Sequence, residues 1–246
     1  MSLSLNPDHA IELVRITDSC WMSVCEITNE QFRRIIPEHN SGYYSRRHAE
    51  HADSKGMSLN APEQPVLRVS FNEAMAFCAR LSRQTGKEIT LPTEEQWERA
   101  CCGYGETDFF YGDGDDDFSP WANMADKTFA SFGVKGDDGQ HFRIAGDVDY
   151  IEAEGVALAD RRYEDGGCVT MPVGSYQPNT FGLYDMHGNA AEWTLTEEDG
   201  EHIVKGGSYL DRPKRCSAAT RSFFPPWQKV YNVGFRIVVN ESKNGS

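Results

Sequence analysis

The spacing of apolar residues changes along this chain, and each change predicts an element. Near the start, "IELVRI" at 11–16 and "CWMSVCEI" at 20–27 are short apolar runs that predict strands. In "EITNEQFRRII", Phe32, Ile35 and Ile36 recur at helical intervals, and Thr28 or Asn29 can accept the free amides of a helix start. A polar stretch rich in His, Ser and Asn from about Pro37 to Pro65 predicts a loop. "SFNEAMAFCARLSRQTGKEI" then predicts a second helix. Ser70 or Asn72 caps it, Ala74, Phe77, Cys78 and Leu81 form one face, and Gly86 ends it. "TLPTEEQWERACCGYG" repeats that grammar, with Thr93 and Gln96 as a capping box, Trp97 and Ala100 inward and Gly103 as terminator.

Beyond Gly103, glycine, aspartate and aromatic residues dominate and long helical periodicity stops, so loops and short strands are expected. "YGDGDDDF" carries oxygens that could bind a cation but lacks the glutamate spacing of an EF-hand, and it reads as a solvated turn. The segment from 129 to 160 is irregular, and loops of that length are functional or disordered.

With 246 residues and 39% hydrophobic content, one substantial core is affordable, and a single domain over 1–246 with its core at about 11–239 is expected. The net charge of -14 argues against nucleic acid or an anionic membrane as partner, because phosphate binding depends on clustered Lys and Arg. No apolar run approaches the roughly 18 residues of a membrane span, and the N-terminus has no basic, apolar and small-residue succession of a signal peptide. Seven cysteines, an odd number without a CxxC pair, fit a reducing compartment, so a cytoplasmic location is expected. Adjacent Cys101 and Cys102 would form a strained bridge and read as thiols.

Three blocks carry more specific information. They are "ITNEQF" at 27–32 with "LPTEEQWERA" at 91–100, "FGLYDMHGNAAEWT" at 181–194, and "KGGSY" at 205–209 running through "ATR" to "NVGFRIV" at 232–238. In order and spacing the chain resembles the formylglycine-generating enzyme family, also called sulfatase-modifying factor domains, from about Ile11 to Val239. The resemblance implies a C-type-lectin-like derived α+β fold with small antiparallel sheets, two main helices and many ordered loops. It also implies calcium, an obvious staple for a loop-rich domain without disulfides.

In "DMHGNAAEW", Asp185 and Glu192 are hard oxygen donors flanking a glycine turn, a pattern that suits calcium. The resemblance implies a calcium site of Asp185 and Glu192 by side chain with Gly188 and Ala190 by carbonyl. The plainer alternative has Glu192 capping backbone amides while Trp193 packs in the core. A further calcium site is implied at Asn123 and Asp165 by side chain with the carbonyls of Met124 and Gly167; otherwise these residues sit in ordinary turns. His187 lies in the same loop, where nitrogen is a poor calcium donor, and reads as solvent-facing or hydrogen-bonding.

Members of the family that make formylglycine resemble one another in two cysteines after the double-glycine turn, which hold copper(I) for oxygen-dependent conversion of a substrate cysteine to an aldehyde. Two thiolates give copper(I) the near-linear coordination it favours. Counted from Gly207, the first of these positions falls on Asp211, and Cys216 stands where the second would be, in a stretch three residues shorter than in those enzymes. Cys216 is therefore expected to be a semi-buried structural thiol, with a copper site only if Cys168 or another thiol joined it. Iron of the related sulfoxide synthases would need a histidine cluster, and His39, His48 and His51 read instead as a surface loop.

What remains is a pocket. Ser208, Tyr209, Asp211, Arg215 and Arg221, with the aromatic residues Phe223, Phe224, Trp227 and Tyr231, bunch around the double glycine. They suit a peptide, protein or small-molecule ligand, although some can simply be core. Retroelement-diversified binding proteins share the fold but are Asn-rich here, where this chain has only Asn232. The expected function is a calcium-stabilised binding or accessory module; the alternative is a formylglycine-generating oxidase.

Overall fold

One capping device sets the start of each of the first three helices. In α1 (Asn29–Ile35) the Thr28 hydroxyl accepts from the Gln31 amide at 3.1 Å while Gln31 accepts from the Thr28 amide at 3.0 Å. Ser70 with Glu73 repeats this box before α2 (Phe71–Thr85), as does Thr93 with Gln96 before α3 (Glu94–Cys102). Gly86 ends α2 at φ 68°, a left-handed turn that glycine enters without a Cβ clash. The two longest helices are α2 and α3, with α1 added beside them; a single turn, α4 (Pro213–Cys216), follows later. The structure, a computed structural model, describes residues 1–6, 9–44, 57–103, 105, 107–129 and 159–241. His48, His51 and nearly all of the irregular 129–160 segment lie outside the described residues.

The strands are β1 (Ser2–Asn6), β2 (His9–Thr17), β3 (Cys20–Ser23), β4 (Tyr43–Tyr44), β5 (Met57–Ser58) and β6 (Ile89–Thr90). They continue with β7 (Ala191–Glu198), β8 (Glu201–Lys205), β9 (Ser222–Phe224), β10 (Val233–Gly234) and β11 (Val238–Asn240). Five of them form a sheet in the order β1-β2-β3-β11-β6, four form another in the order β10-β7-β8-β9, and β4 pairs with β5. All pairs are antiparallel except β10 with β7. The strand expected over 20–27 stops at Ser23. Beyond it the backbone bonds outside a ladder: the Ile27 amide donates to the Phe235 carbonyl at 2.9 Å and the Val66 amide to the Ile27 carbonyl at 2.8 Å.

Both helical faces read from the spacing are buried. Ala74, Phe77, Cys78 and Leu81 of α2 and Trp97 and Ala100 of α3 are at most 1% exposed. Phe32, Phe77 and Phe235 join the early helices to the late sheet, stacked at 5.4 Å and edge-on at 5.9 and 5.5 Å. This core places the Lys205–Gly207 turn, the 185–192 loop and the 228–233 segment side by side. The acidic 111–118 stretch folds on itself, with the Asp113 amide donating to Asp116 at 2.8 Å and the Asp115 side chain 91% exposed, as a solvated turn should.

Candidate functional site

β8 ends in Lys205, whose ammonium is fully buried between Glu94 at 3.3 Å and Glu98 at 2.7 Å. The chain then turns through Gly206 and Gly207 at φ 89° and 64°. A Cβ on Gly207 would sit 2.5 Å from the Cys216 sulfur and 3.0 Å from the Arg215 carbonyl, so only glycine lets α4 approach this closely. Above the turn lies a cavity of about 210 Å³. Its apolar wall comes from Ala191, Val204, Phe224, Val230 and Val233, and its polar wall from Asp211, Arg215, Thr220, Gln228, Lys229 and Asn232.

Of the residues expected in the pocket, Asp211, Arg215, Phe224 and Tyr231 line it. Ser208 and Tyr209 are buried outside the lining, where the Ser208 hydroxyl donates to Asp211 at 2.7 Å and Tyr209 packs edge-on against Tyr44. Arg221 reaches away from it, holding Glu94 through two bonds of 2.6 and 2.5 Å and Glu198 at 3.4 Å. Phe223 and Trp227 are exposed beside it, Trp227 at 70%. The segment Gln228–Val230 was missed because it carries neither glycine nor aromatic residues; its place in the chain between Trp227 and Tyr231 was the available signal.

The Cys216 sulfur is fully buried beneath Gly207, among Phe109, Phe118, Ala122 and Met124. Burial pushes its pKa well above the ordinary thiol value, and its nearest acceptors are the Asp211 and Ser208 carbonyls at 3.6 and 3.9 Å. Asp211, at the other position, already accepts from the Ser208 amide at 2.9 Å and pairs with Arg215 at 3.2 Å. A protonated thiol and an engaged carboxylate do not fit copper(I), which takes soft thiolates. Alkylation in the native state should therefore reach Cys102 first and Cys216 and Cys101 only on unfolding. The thiol of Cys102 is half-buried and lowered by a hydrogen bond from Cys101, whereas burial raises Cys101. Mass spectrometry of a timed iodoacetamide reaction checks this order; early loss of the Cys216 thiol would contradict it.

His187 is buried and hydrogen-bonding. Nδ1–H donates to the Cys216 carbonyl at 2.7 Å, which leaves Nε2 to accept from the Phe110 amide at 3.4 Å. Burial pushes its pKa down to about 4, so the ring is a neutral strut between the 185–192 loop and α4.

The structure brings Asn123, Met124, Asp165 and Gly167 together. Asp165 accepts from the Met124 amide at 2.8 Å and the Gly167 amide at 2.7 Å. Asn123 is fixed by donating to the Val169 carbonyl at 2.9 Å and to Asn189 at 3.1 Å; its buried Oδ1 has no partner and faces Gly167. Burial pushes the Asp165 carboxyl up to about 7. One open oxygen beside a carboxyl that, among the described residues, lacks a counter-charge is a donor set that suits a hard cation.

In the 185–192 loop the donors divide. Asp185, left-handed at φ 57°, accepts from the Gly174 amide at 2.7 Å with one oxygen, and its carboxyl is also hydrogen-bonded with that of Glu26. Glu192 is fully engaged: Arg236 donates to both of its oxygens at 2.7 Å, and the Trp97 indole adds a third bond at 2.7 Å. Glu26, which sequence reasoning missed, stands beside Asp185 in hydrogen-bonding contact with it, while the Asn189 side chain donates to its Oε1 at 3.1 Å. Burial above all, and for Glu26 the nearby Asp185 charge, raises both carboxyls. Among the described residues, no group of three or more His, Cys, Asp or Glu side chains is placed to hold a metal ion by itself. A cation at either place would need backbone or Asn oxygens.

Residues 4–241 match the sulfatase-modifying factor enzyme 1-like domain. The chain is 31% identical over 214 residues to the formylglycine-generating enzyme of Bos taurus, covering 79% of this chain and 48% of that protein. It is 30% identical over 184 residues to the inactive C-alpha-formylglycine-generating enzyme 2 of the same organism, covering 71% and 50%. The chain thus spans about half the length of these curated relatives. In structure it is similar to Treponema denticola variable protein 1, with a TM-score of 0.66, 15% identity and 98% of each chain covered. It is also similar to PvdO from Pseudomonas aeruginosa, with a TM-score of 0.63, 19% identity and 98% and 90% covered. The blocks at 27–32, 91–100, 181–194 and 205–238 and the α+β fold that they build have one source: the chain belongs to the sulfatase-modifying-factor family.

Proposed function

We propose that this chain is a ligand-binding or accessory module on the sulfatase-modifying-factor scaffold, taking a peptide, protein segment or small molecule in the double-glycine cavity. One observation carries it: where a copper oxidase would present two thiolates, this cavity presents the Asp211–Arg215 ion pair, with the Cys216 thiol sealed beneath Gly207. The half-apolar, half-polar lining supplies area and orientation for a ligand without supplying an electron donor. Purified protein supplied with copper(I), oxygen, a reductant and a sulfatase-type cysteine peptide should give no aldehyde product by mass spectrometry. Aldehyde formation that is lost in Cys216→Ala would overturn the proposal in favour of an oxidase.

Calcium serves this module as a staple. Asn123 and Asp165, with the Met124 and Gly167 carbonyls, would hold one ion. At the 185–192 loop Asp185, with the Gly188 and Ala190 carbonyls, would contribute while Glu192 stays with Arg236. Calcium added after chelation should raise the stability of the chain by about 2.7 kcal/mol for each occupied site at a free concentration a hundred times that site's dissociation constant. Asn123→Leu should abolish the share of that rise that comes from the Asn123–Asp165 ion and leave the share of the 185–192 loop. Thermal melts with calcium, magnesium and chelator measure it, and identical melts in all three would sink the calcium assignment. The seven unbridged thiols suit a reducing compartment, and we place the chain in the cytoplasm on that ground.

A further inference from the structure

Arg68 is unusual in its backbone, its bonding and its position. Its φ of 57° lies in the left-handed region, which glycine or asparagine occupies with least strain. The neighbours impose this turn: Val66, Leu67 and Val69 are all fully buried, and the Arg68 amide donates to the Val230 carbonyl at 3.2 Å. At a site where a side chain is a burden, the sequence carries the longest cation. Among the described residues the guanidinium makes one hydrogen bond, from Nη2 to the Tyr43 carbonyl at 3.2 Å. Among the described residues it has no carboxylate partner, and its Nε has no partner of any kind.

Arg68 also lines a second cavity, of about 700 Å³ and open to solvent, together with Ile36, Glu38, His39, Asn40 and Glu73. Lys229 and Tyr231 line both this cavity and the double-glycine one, so the two are chambers of one groove. We propose that Arg68 is the carboxylate-recognition point of a second subsite, and that the groove takes an elongated ligand with an apolar group over the double glycine and a carboxylate on Arg68. This rests on the binding-module reading of the double-glycine cavity and adds the chemistry of what is bound.

The other charged groups of the chamber leave that role to Arg68. Lys229 is paired with Glu73 at 2.7 Å, and Glu73 also accepts from the Ser70 amide at 3.0 Å. His39 Nε2 lies 2.9 Å from the Leu67 carbonyl, and burial lowers its pKa. Glu38 is exposed, where water and salt screen its repulsion of an anion. A guanidinium presents parallel donors that match the two oxygens of a carboxylate, which an ammonium such as Lys229 cannot do. The Arg68–Val230 bond ties this recognition point to the apolar wall of the first chamber, so both ends of a ligand would meet one rigid unit.

The test uses the full chain and three carboxylates, phenylacetate, phenylpropionate and phenylbutyrate, each beside its neutral amide, with affinities from calorimetry or ligand-observed NMR. At least one carboxylate should bind roughly tenfold or more tighter than its amide, the size of a charge-assisted hydrogen bond. Arg68→Gly, which suits the left-handed backbone and should melt no lower than the parent, should bind acid and amide alike. Arg68→Lys should recover only part of the preference. Equal affinity for every acid and amide in the parent, no binding of either, or an undiminished preference in Arg68→Gly would each overturn the subsite. Amide binding that persists without an acid preference would leave the binding-module reading standing and remove only Arg68's role. Aldehyde formation in the copper assay would remove the module reading whatever Arg68 does.

Discussion

Arg236→Met should lower the stability of the chain by about 3–5 kcal/mol, or prevent folding outright. Arg236 and Glu192 are 0% and 1% exposed, and the arginine also donates to the Ser23 carbonyl at 3.2 Å and the Tyr184 carbonyl at 3.0 Å. Removing the guanidinium strands a carboxylate in the core beside Asp185 and Glu26, with only the Trp97 indole to answer it. Breaking one partner of a buried pair costs far more than the pair itself contributes, because the remaining charge has lost its water and gained nothing. The double variant Arg236→Met/Glu192→Gln should therefore recover part of the loss. Urea denaturation of the parent, both single variants and the double variant measures this, and simple additivity would refute the coupling.

Gly188→Ala should cost about 3 kcal/mol or more, from a left-handed backbone made unfavourable and from overpacking. The residue has φ 74°, and a Cβ there would fall on the Asn123 backbone carbonyl, well inside contact distance. That carbonyl cannot yield, because it accepts from the Asn189 amide at 2.7 Å, while the Gly188 amide donates to Gly206 at 2.9 Å. The single position thus joins Asn123 to the pocket floor. Gly182→Ala is the control: its φ of 82° is as unfavourable, yet nothing lies within 4 Å of the added carbon. It should lose only about 1 kcal/mol. Equal losses in the two variants would show that the carbonyl moves aside.

The early helices were legible because their signals are local. Thr28, Ser70 and Thr93 each meet a partner three residues on, and the apolar faces of α2 and α3 follow from spacing alone. The candidate cation residues were legible only through family resemblance, since Asn123 and Asp165 lie far apart in the chain and nothing local links them. Glu192 illustrates what spacing cannot carry: its neighbours suggest a cation, but Arg236, 44 residues later, already supplies the positive charge. Arg221 misled for a similar reason, because an arginine beside a pocket reads as an anchor until Glu94 is seen to hold it. Arg68 gave no sequence signal at all, since its backbone angle is set by three buried neighbours and by the Val230 carbonyl.

The order β1-β2-β3-β11-β6 has a consequence for biosynthesis. Val238–Asn240 insert between strands that begin at Cys20 and at Ile89, so one edge of β3, whose other edge pairs with β2, and the pairing edge of β6 stay open until more than two hundred residues have been translated. During that interval both present unpaired backbone amides and carbonyls, the template on which nascent chains stick to one another. A ribosome stalled before Val238 would hold such a chain open, and release of the last strand, rather than early helix formation, would time the protein's arrival in its native state.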